Sequence, residues 1–542
     1  MLELDKKSSD EKKIILDVKN YSVGLKKIKG SIVGAVSFSI FKGEIFGIAG
    51  ESGSGKTLLT LSMFGLHNAS HLKTGDVYFN SRKIVESGVR LVETKNLALR
   101  IGFILQDPFS SLNPSVKVGK QIGEAIYLAK GKKLNSAENR SLVHELLSEV
   151  GIPDPENSYE RYPDQFSGGM RQRIVIAIAL SQDPDLLVAD EPTTALDAST
   201  QRKIIDLIID RSRQRGLTVI LVSHNIALLQ ATANRIAVMK SGKVLDIFNP
   251  REIKMRELNP YTKALFDSLK NIKQHIPSDK SQENLPIIPL VEMKNIEKSY
   301  ASRILQRSGN FSLSNINLEI FQGEVVGFLG ESGSGKSTLA SIITKLSMPN
   351  KGSYKYKGQN VFAFNRTDIS KFKSDVQMVF QDPYGSLNPR YKIRTAISEA
   401  LIIHKPSLPK SLHEEKIVQL LSDVGLDSSA MDKFPHEFSG GQRQRIAIAR
   451  AMSVDPEMLV CDEPLSSLDV STQGQILSLF SDLLERKKIA MIFITHDIKV
   501  AKLLCNRVYI LSDGEIVEHG QTQQVLTNPK HNYTSNLIEA VY

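Results

Sequence analysis

The chain has 542 residues, 41% of them hydrophobic and 24% charged, which is too long for one core and has the balance of a globular protein rather than a fibre or a disordered segment. Its apolar runs, such as 174–180, fall far short of the ~18 residues of a membrane span, its polar N-terminus does not read as a signal peptide, and a cytosolic protein is expected. Two cysteines, Cys461 and Cys505, are too few for a disulfide framework or an iron–sulfur site and read as packing residues, while a net charge of +10 is compatible with nucleic acid or an anionic membrane surface and decides nothing alone, the dispersal of the basic residues being what disfavours nucleic acid.

Residues 1–13 are polar, without an apolar period, and read as a disordered tail. Strands are expected at 14–18, 31–40 and 44–49. The third runs into Gly50, Glu51, Ser52, Gly53, Ser54, Gly55, Lys56 and Thr57, which satisfy the phosphate-loop pattern G-x-x-x-x-G-K-[ST] between an apolar strand and a helix-prone run. Glycines there let backbone N–H groups turn toward phosphate oxygens and the helix that follows adds its positive end. Lys56 is read as reaching the outer phosphates and Thr57 as offering a hydroxyl to Mg²⁺.

Further along, Ser167, Gly168 and Gly169 open a long helical run, again offering a hydroxyl, free N–H groups and a helix dipole to an anion. The half already holds one phosphate loop, so this second anion site is read as serving the nucleotide held by the other half. The apolar strand 186–191 ends in Asp190 and Glu191, and unpaired carboxylates at the end of a buried strand are costly without a task. Beside a nucleotide, Asp190 is expected to hold Mg²⁺ through water and Glu191 to act as general base on the attacking water. His224 ends another apolar strand and is read as a γ-phosphate contact.

The same order then repeats. Strands are expected at 290–296, 311–320 and 324–329, the last running into Gly330, Glu331, Ser332, Gly333, Ser334, Gly335, Lys336 and Ser337. Ser439, Gly440 and Gly441 follow, then Asp462 with Glu463, then His496, each in the role of its first-half counterpart. The three pairs Ser167/Ser439, Asp190/Asp462 and His224/His496 are each 272 residues apart, whereas Lys56 and Lys336 are 280 apart. Spacing is held across the catalytic stretch, and the second half is eight residues shorter between lysine and serine. Residues 271–285 are polar and proline-interrupted and read as a linker. Matching short helices are expected in 259–270 and 528–542, each beginning after Asn-Pro.

This set of motifs resembles the ATP-binding cassette (ABC) family, over nearly all of 14–527, with Walker A, Q-loop, signature, Walker B, D-loop and H-loop in order in both halves. The resemblance implies an α/β fold of two tandem P-loop nucleotide-binding domains, at 14–270 and 286–527. Each would have a RecA-like parallel sheet core, an antiparallel β subdomain and an α-helical subdomain, the last near 108–165 and 383–437. It implies that Gln106 and Gln381 contact Mg²⁺ and the lytic water, that Asp197 and Asp469 communicate between halves, and that Tyr300 stacks under adenine. Aligning Asn20 with Asn295 puts Leu25 where the second half has Tyr300, and Tyr21 is out of register. Met170 stands where the second signature has Gln442.

The stretches QDPFSSLNP at 106–114 and QDPYGSLNP at 381–389, with the NPYT and NYT extensions, are similar to the oligopeptide, dipeptide and nickel importer ATPases, and most to the fused ATPases of Yej-type peptide importers. The cysteine cluster of some relatives is missing, so no iron–sulfur cluster is expected. The implied function is ATP hydrolysis, with ATP and Mg²⁺, on the cytoplasmic face of the membrane. It would drive peptide import through two integral-membrane permease subunits, with a substrate-binding protein supplying the solute. A head-to-tail sandwich is expected, with the loop of each half facing the signature of the other. The rival reading is a tandem cassette acting on the ribosome as a translation factor, which would usually carry a long charged helical linker; a DNA-repair role would need a zinc insert or coiled coil.

Overall fold

A computed structural model describes residues 13–540, other than 26–30, 52, 67–70, 93–99, 106–110, 131–135, 194–197, 254, 272–287, 300–311, 410, 467 and 469. The expected N-terminal tail but for Lys13, the expected linker but for Asn271, and Ser52, Gln106, Asp197, Tyr300 and Asp469 therefore lie outside the described residues. The chain divides into two compact units, one running to Phe266 and the next starting at Asp267.

Each unit is built on a six-stranded sheet. In the first, the strands lie in the order Lys243–Phe248, Arg235–Lys240, Ile45–Ala49, Thr218–Val222, Leu186–Asp190 and Ile101–Ile104, all parallel except the antiparallel first. The second repeats this with Glu515–Gln521, Arg507–Ser512, Val325–Leu329, Ala490–Ile494, Met458–Asp462 and Val376–Val379. The central strands are buried throughout, so they read as unbroken apolar runs, as parallel strands covered on both faces do. Period-two alternation still decides which way each side chain points. In the second unit Val326, Phe328, Met458, Val460, Ile492 and Ile494 join the core shared with the antiparallel sheet. Their neighbours Val325, Leu329, Leu459, Cys461, Met491 and Phe493 join the core shared with the helices.

The antiparallel layer comprises Ser31–Phe41, Ile14–Leu25, His71–Phe79, Arg82–Glu86 and Val89–Arg90 in the first unit, and Ser312–Ile320, Val291–Ser299, Lys351–Tyr356 and Gln359–Asn360 in the second. The first strands run well past 14–18 and 290–296 because each absorbs a register shift at an asparagine with left-handed backbone, Asn20 at φ 47° and Asn295 at φ 52°. Asparagine tolerates that conformation better than most residues. The shared shift supports the alignment that sets Leu25 against position 300. Tyr21 is completely buried, so its ring is core and no platform for a base.

An ion pair ties antiparallel layer to central sheet in both units. Glu44 accepts from the Phe41 N–H at 2.8 Å and from Arg235 Nε at 2.6 Å, and Arg235 Nη2 reaches the Ser39 carbonyl at 2.5 Å. Glu324, Phe321, Arg507 and the Glu319 carbonyl repeat the arrangement. A nearly buried glutamate so fully hydrogen-bonded is costly to leave without its arginine, by about 3–5 kcal/mol.

Helices fill the segment between Ile101–Ile104 and the first signature: Val118–Lys130, Ser136–Glu149 and Pro155–Tyr159. Ile393–His404 and Ser411–Asp423 occupy the same place in the second unit. This is the helical subdomain that the resemblance implies. The C-terminal extensions differ from expectation in one respect. The first helix, Pro260–Asn271, starts on the proline of its Asn-Pro, within a residue of the expected place, but the second, Asn532–Glu539, starts beyond Asn528-Pro529 with His531 as its N-cap.

Candidate active sites

The phosphate loops leave the C-terminal ends of Ile45–Ala49 and Val325–Leu329, the end of a parallel sheet where ligands bind in open α/β folds. Gly50, Gly53 and Gly55 have φ of 150°, 79° and 96°, and Gly330, Gly333 and Gly335 have 150°, 87° and 106°. The first glycine of each loop also has no room for a side chain, since a Cβ would stand 2.3 Å from the Met239 carbonyl oxygen at Gly50 and 2.2 Å from that of Leu511 at Gly330. Gly55 and Gly335 cap the helices Lys56–Met63 and Lys336–Ile343 without a side-chain hydrogen bond, so no cap side chain competes with an anion at these helix ends.

Lys56 and Lys336 are almost wholly buried, and each ammonium is held by the loop it serves. Lys56 Nζ donates to the carbonyls of Gly50 at 2.7 Å and Glu51 at 2.8 Å, and Lys336 Nζ to those of Gly330 at 2.8 Å and Glu331 at 2.7 Å. Each ammonium is thus gathered against its own loop, at the place where the outer phosphates of a nucleotide would lie.

Strands Leu186–Asp190 and Met458–Asp462 bring the acids beside the loops. Both oxygens of Asp190 are buried without a hydrogen bond among the described residues, and Ser337 Oγ donates to Asp462 Oδ1 at 3.1 Å. Burial pushes both aspartates above the usual carboxylate range, with the Thr57 and Ser337 hydroxyls pulling the other way. A buried acid next to a hydroxyl in each unit, with both oxygens orphaned at Asp190, is a hard-oxygen donor set, which fits Mg²⁺.

The next residue turns sharply. Glu191 and Glu463 have left-handed backbone, with φ of 47° and 42°, a conformation that costs a non-glycine residue on the order of 1–3 kcal/mol and clusters at functional sites. Each is pinned by its N–H, donated to the Val222 carbonyl at 3.0 Å or that of Ile494 at 3.1 Å. The turn sends the carboxylate to the histidine: His224 Nδ1 lies 3.1 Å from Glu191 Oε1, and His496 Nδ1 lies 3.6 Å from Glu463 Oε2. Gln381 Nε2 donates to the same Glu463 oxygen at 3.1 Å. The strands before the histidines end two residues earlier than the sequence reading had them, at Val222 and Ile494. Each histidine sits in a short turn closed by Ser223 or Thr495, whose hydroxyl accepts the N–H of Asn225 or Asp497 at 3.0 Å. Those two residues then cap the next helix.

The Glu463 carboxylate raises the His496 imidazole above its ordinary range, more than burial lowers it. Against the upward push of burial, His496 and Lys336 hold Glu463 below its own range. The histidine's contribution to stability is therefore full below its unfolded pKa of 6.5 and is lost as pH rises through its higher folded value. The glutamate's is present above 4.5 and is lost as pH falls through its lower folded value, so both act together between those two limits. By NMR titration His496 is expected to titrate above 6.5 and to return toward it in Glu463→Gln; a parent value at or below 6.5 contradicts the pairing.

At the signatures, Ser167 and Ser439 cap Gly168–Ser181 and Gly440–Met452, each hydroxyl accepting an N–H at 3.4 Å. Only the second closes a capping box, Gln442 Oε1 accepting the Ser439 N–H at 3.0 Å. Met170 has no oxygen to do this. The serine and two glycines of each signature are at least partly exposed except Gly441, which is buried, and a Cβ on Gly441 would stand 2.2 Å from Thr472 Cγ2.

The structure thus brings together Lys56, Thr57, Asp190, Glu191 and His224 in one unit, and Lys336, Ser337, Asp462, Glu463, His496 and Gln381 in the other. Sequence reasoning missed the histidine–glutamate pairing and the left-handed glutamates, for which the sequence carries no local signal. It also missed the capping box, for which Ser-x-x-Gln at 439–442 is the signal.

A phosphate loop followed by an acid pair and a histidine on neighbouring strand ends defines a P-loop nucleotide hydrolase, here twice over. The family described as ABC transporter matches residues 33–194 and 313–466, and the oligopeptide/dipeptide transporter C-terminal region matches 517–542. The chain is 35% identical over 537 residues to a protein of Agrobacterium fabrum named peptidoglycan transport ATP-binding protein YejF, covering 97% of this chain and 96% of that one. It is also 35% identical over 532 residues to an ABC transporter ATP-binding protein YejF of Escherichia coli, covering 97% and 99%. A glutathione import ATP-binding protein, GsiA of Pectobacterium atrosepticum, is 35% identical over 562 residues, covering 98% and 90%. This chain belongs to the ABC transporter family and is an ATP-hydrolysing transporter subunit with two cassettes. Among the described residues no helix is long and apolar enough to cross a membrane.

Proposed function

We propose that this chain powers an importer of small peptides, working from the cytoplasmic face of the membrane on two separate permease subunits, with a binding protein delivering the solute. The observation that carries the solute class is the C-terminal region at 517–542, of the oligopeptide/dipeptide type. The names of the relatives agree with it, since glutathione is a short peptide and peptidoglycan carries peptide stems. The ribosome-acting alternative is disfavoured by those same names. The helical subdomain offers the permeases an apolar surface, with Ile402 51% and Ile403 59% exposed on Ile393–His404 and Leu412 exposed beside them; Tyr127 and Leu128 are exposed on Val118–Lys130.

ATP is the substrate. The N–H groups of each loop and Lys56 or Lys336 hold its outer phosphates, and Glu191 or Glu463 accepts the proton of the attacking water. His224 or His496 orients that glutamate and reaches the γ-phosphate, and Gln106 or Gln381 positions the water. Thr57 with Asp190, and Ser337 with Asp462, would hold Mg²⁺, which neutralises phosphate charge when bound. We further propose that each site is completed by the other cassette. Lys56, Gln106, Glu191 and His224 face Ser439 to Gly441, and Lys336, Gln381, Glu463 and His496 face Ser167 to Gly169. ATP binds the closed pair better than the open one, which is what lets nucleotide drive the stroke. Affinity purification from solubilised membranes of the native host is expected to recover two integral-membrane proteins in stoichiometric amounts. Recovery with ribosomes and without membrane proteins contradicts the assignment.

A further inference from the structure

The second phosphate loop makes a contact far outside its own motif. The Glu331 N–H donates to Tyr533 Oη at 2.9 Å, across 202 residues of chain. The carbonyl of the same residue accepts from Lys336 Nζ at 2.7 Å. One side of this residue is therefore held by the lysine that must turn to phosphate, and the other by a tyrosine that need not move. Ahead of it stands Gly330, whose backbone leaves no space for a side chain. Glu331 is thus one point at which the loop is steadied from outside, at its N-terminal end, while the Ser334 carbonyl accepts the Gly514 N–H at 3.2 Å further along.

The element that carries Tyr533 is firmly docked. Glu518, on the edge strand Glu515–Gln521, accepts the N–H groups of Lys530 at 2.9 Å and His531 at 3.1 Å. His531 Nδ1 accepts the Tyr533 N–H at 3.2 Å and caps Asn532–Glu539. On that helix Thr534 and Leu537 are buried, and Leu537 joins the core with Tyr533 and Ile538 packed against it. The corresponding tyrosine of the first cassette, Tyr261, lies in a different setting, with Lys240 Nζ 4.0 Å from its ring centroid. The counterpart of Lys240 is Ser512, so this cation is peculiar to the first cassette.

We propose that Tyr533 is a positioning residue for ATP: its hydroxyl fixes the Gly330–Glu331 peptide so that the second loop is already shaped for phosphate when nucleotide arrives. The C-terminal region then acts on the nucleotide site as well as completing the fold. Preorganisation of this kind appears as affinity, because less ordering is left to binding.

The test is Tyr533→Phe in the full chain, which removes one oxygen and keeps the ring in its packing. ATP binding is titrated calorimetrically and thermal unfolding is followed without nucleotide. The expected result is that one of the two ATP sites weakens about two- to tenfold, the worth of one hydrogen bond, while the other site and the unfolding temperature match the parent. Unchanged binding at both sites overturns the proposal. So does a loss of affinity that comes with an equally lowered unfolding temperature, which assigns the hydroxyl to stability alone.

Discussion

Replacing Glu191 and Glu463 together by glutamine is expected to lower ATP turnover by about 10²- to 10⁴-fold, the range that a general base contributes. Each single variant is expected to lose hydrolysis at its own site and keep it at the other. Glutamine preserves the shape of the side chain, and it can still accept from Gln381 as Glu463 does at 3.1 Å. What it loses is the ability to take a proton. The backbone demands the same left-handed turn of glutamine as of glutamate, so folding and ATP binding are expected to survive. Phosphate release at saturating ATP is the measurement. If Glu191→Gln leaves turnover untouched while Glu463→Gln abolishes it, the first site is inactive and the claim of two working sites fails.

Much of this was legible in the sequence, for a definite reason. A phosphate loop is local chemistry: its glycines, lysine and hydroxyl lie within eight residues, and the strand before it and helix after it are written in adjacent apolar runs. The constant offset of 272 from signature to histidine exposed the repeat because the spacing between catalytic elements is fixed by the sheet that holds them. Other features were hidden because they are made at a distance. His224 meets Glu191 only because Thr218–Val222 and Leu186–Asp190 are neighbours in register. Tyr533 meets Glu331 only because the extension folds back along the edge strand. The left-handed glutamates follow from the turn each must make at a strand end, where the N–H is committed to the neighbouring strand.

The two cassettes are not equivalent. The first signature has Met170 where the second closes a capping box with Gln442, and the Lys240 that lies over the Tyr261 ring has Ser512 as its counterpart. Both departures lie around the active groups, and both units keep the lysine, the acid pair and the histidine. The asymmetry therefore predicts unequal affinities at two functional sites rather than one dead site.

The proposed pairing of each loop with the opposite signature is tested most directly by placing two lesions in the same composite site or in different ones. Ser167 and Ser439 are exposed helix caps, so arginine there costs the fold only about 1 kcal/mol for the lost cap, while its bulk fills the space at the helix end where a nucleotide would have to pack. Lys56→Ala with Ser439→Arg damages a single proposed site and is expected to retain the ATP turnover of Lys56→Ala alone. Lys56→Ala with Ser167→Arg damages both and is expected to fall toward the level of the double glutamine variant. If the first combination loses turnover and the second keeps it, each cassette completes its own site and the account of two shared sites is wrong.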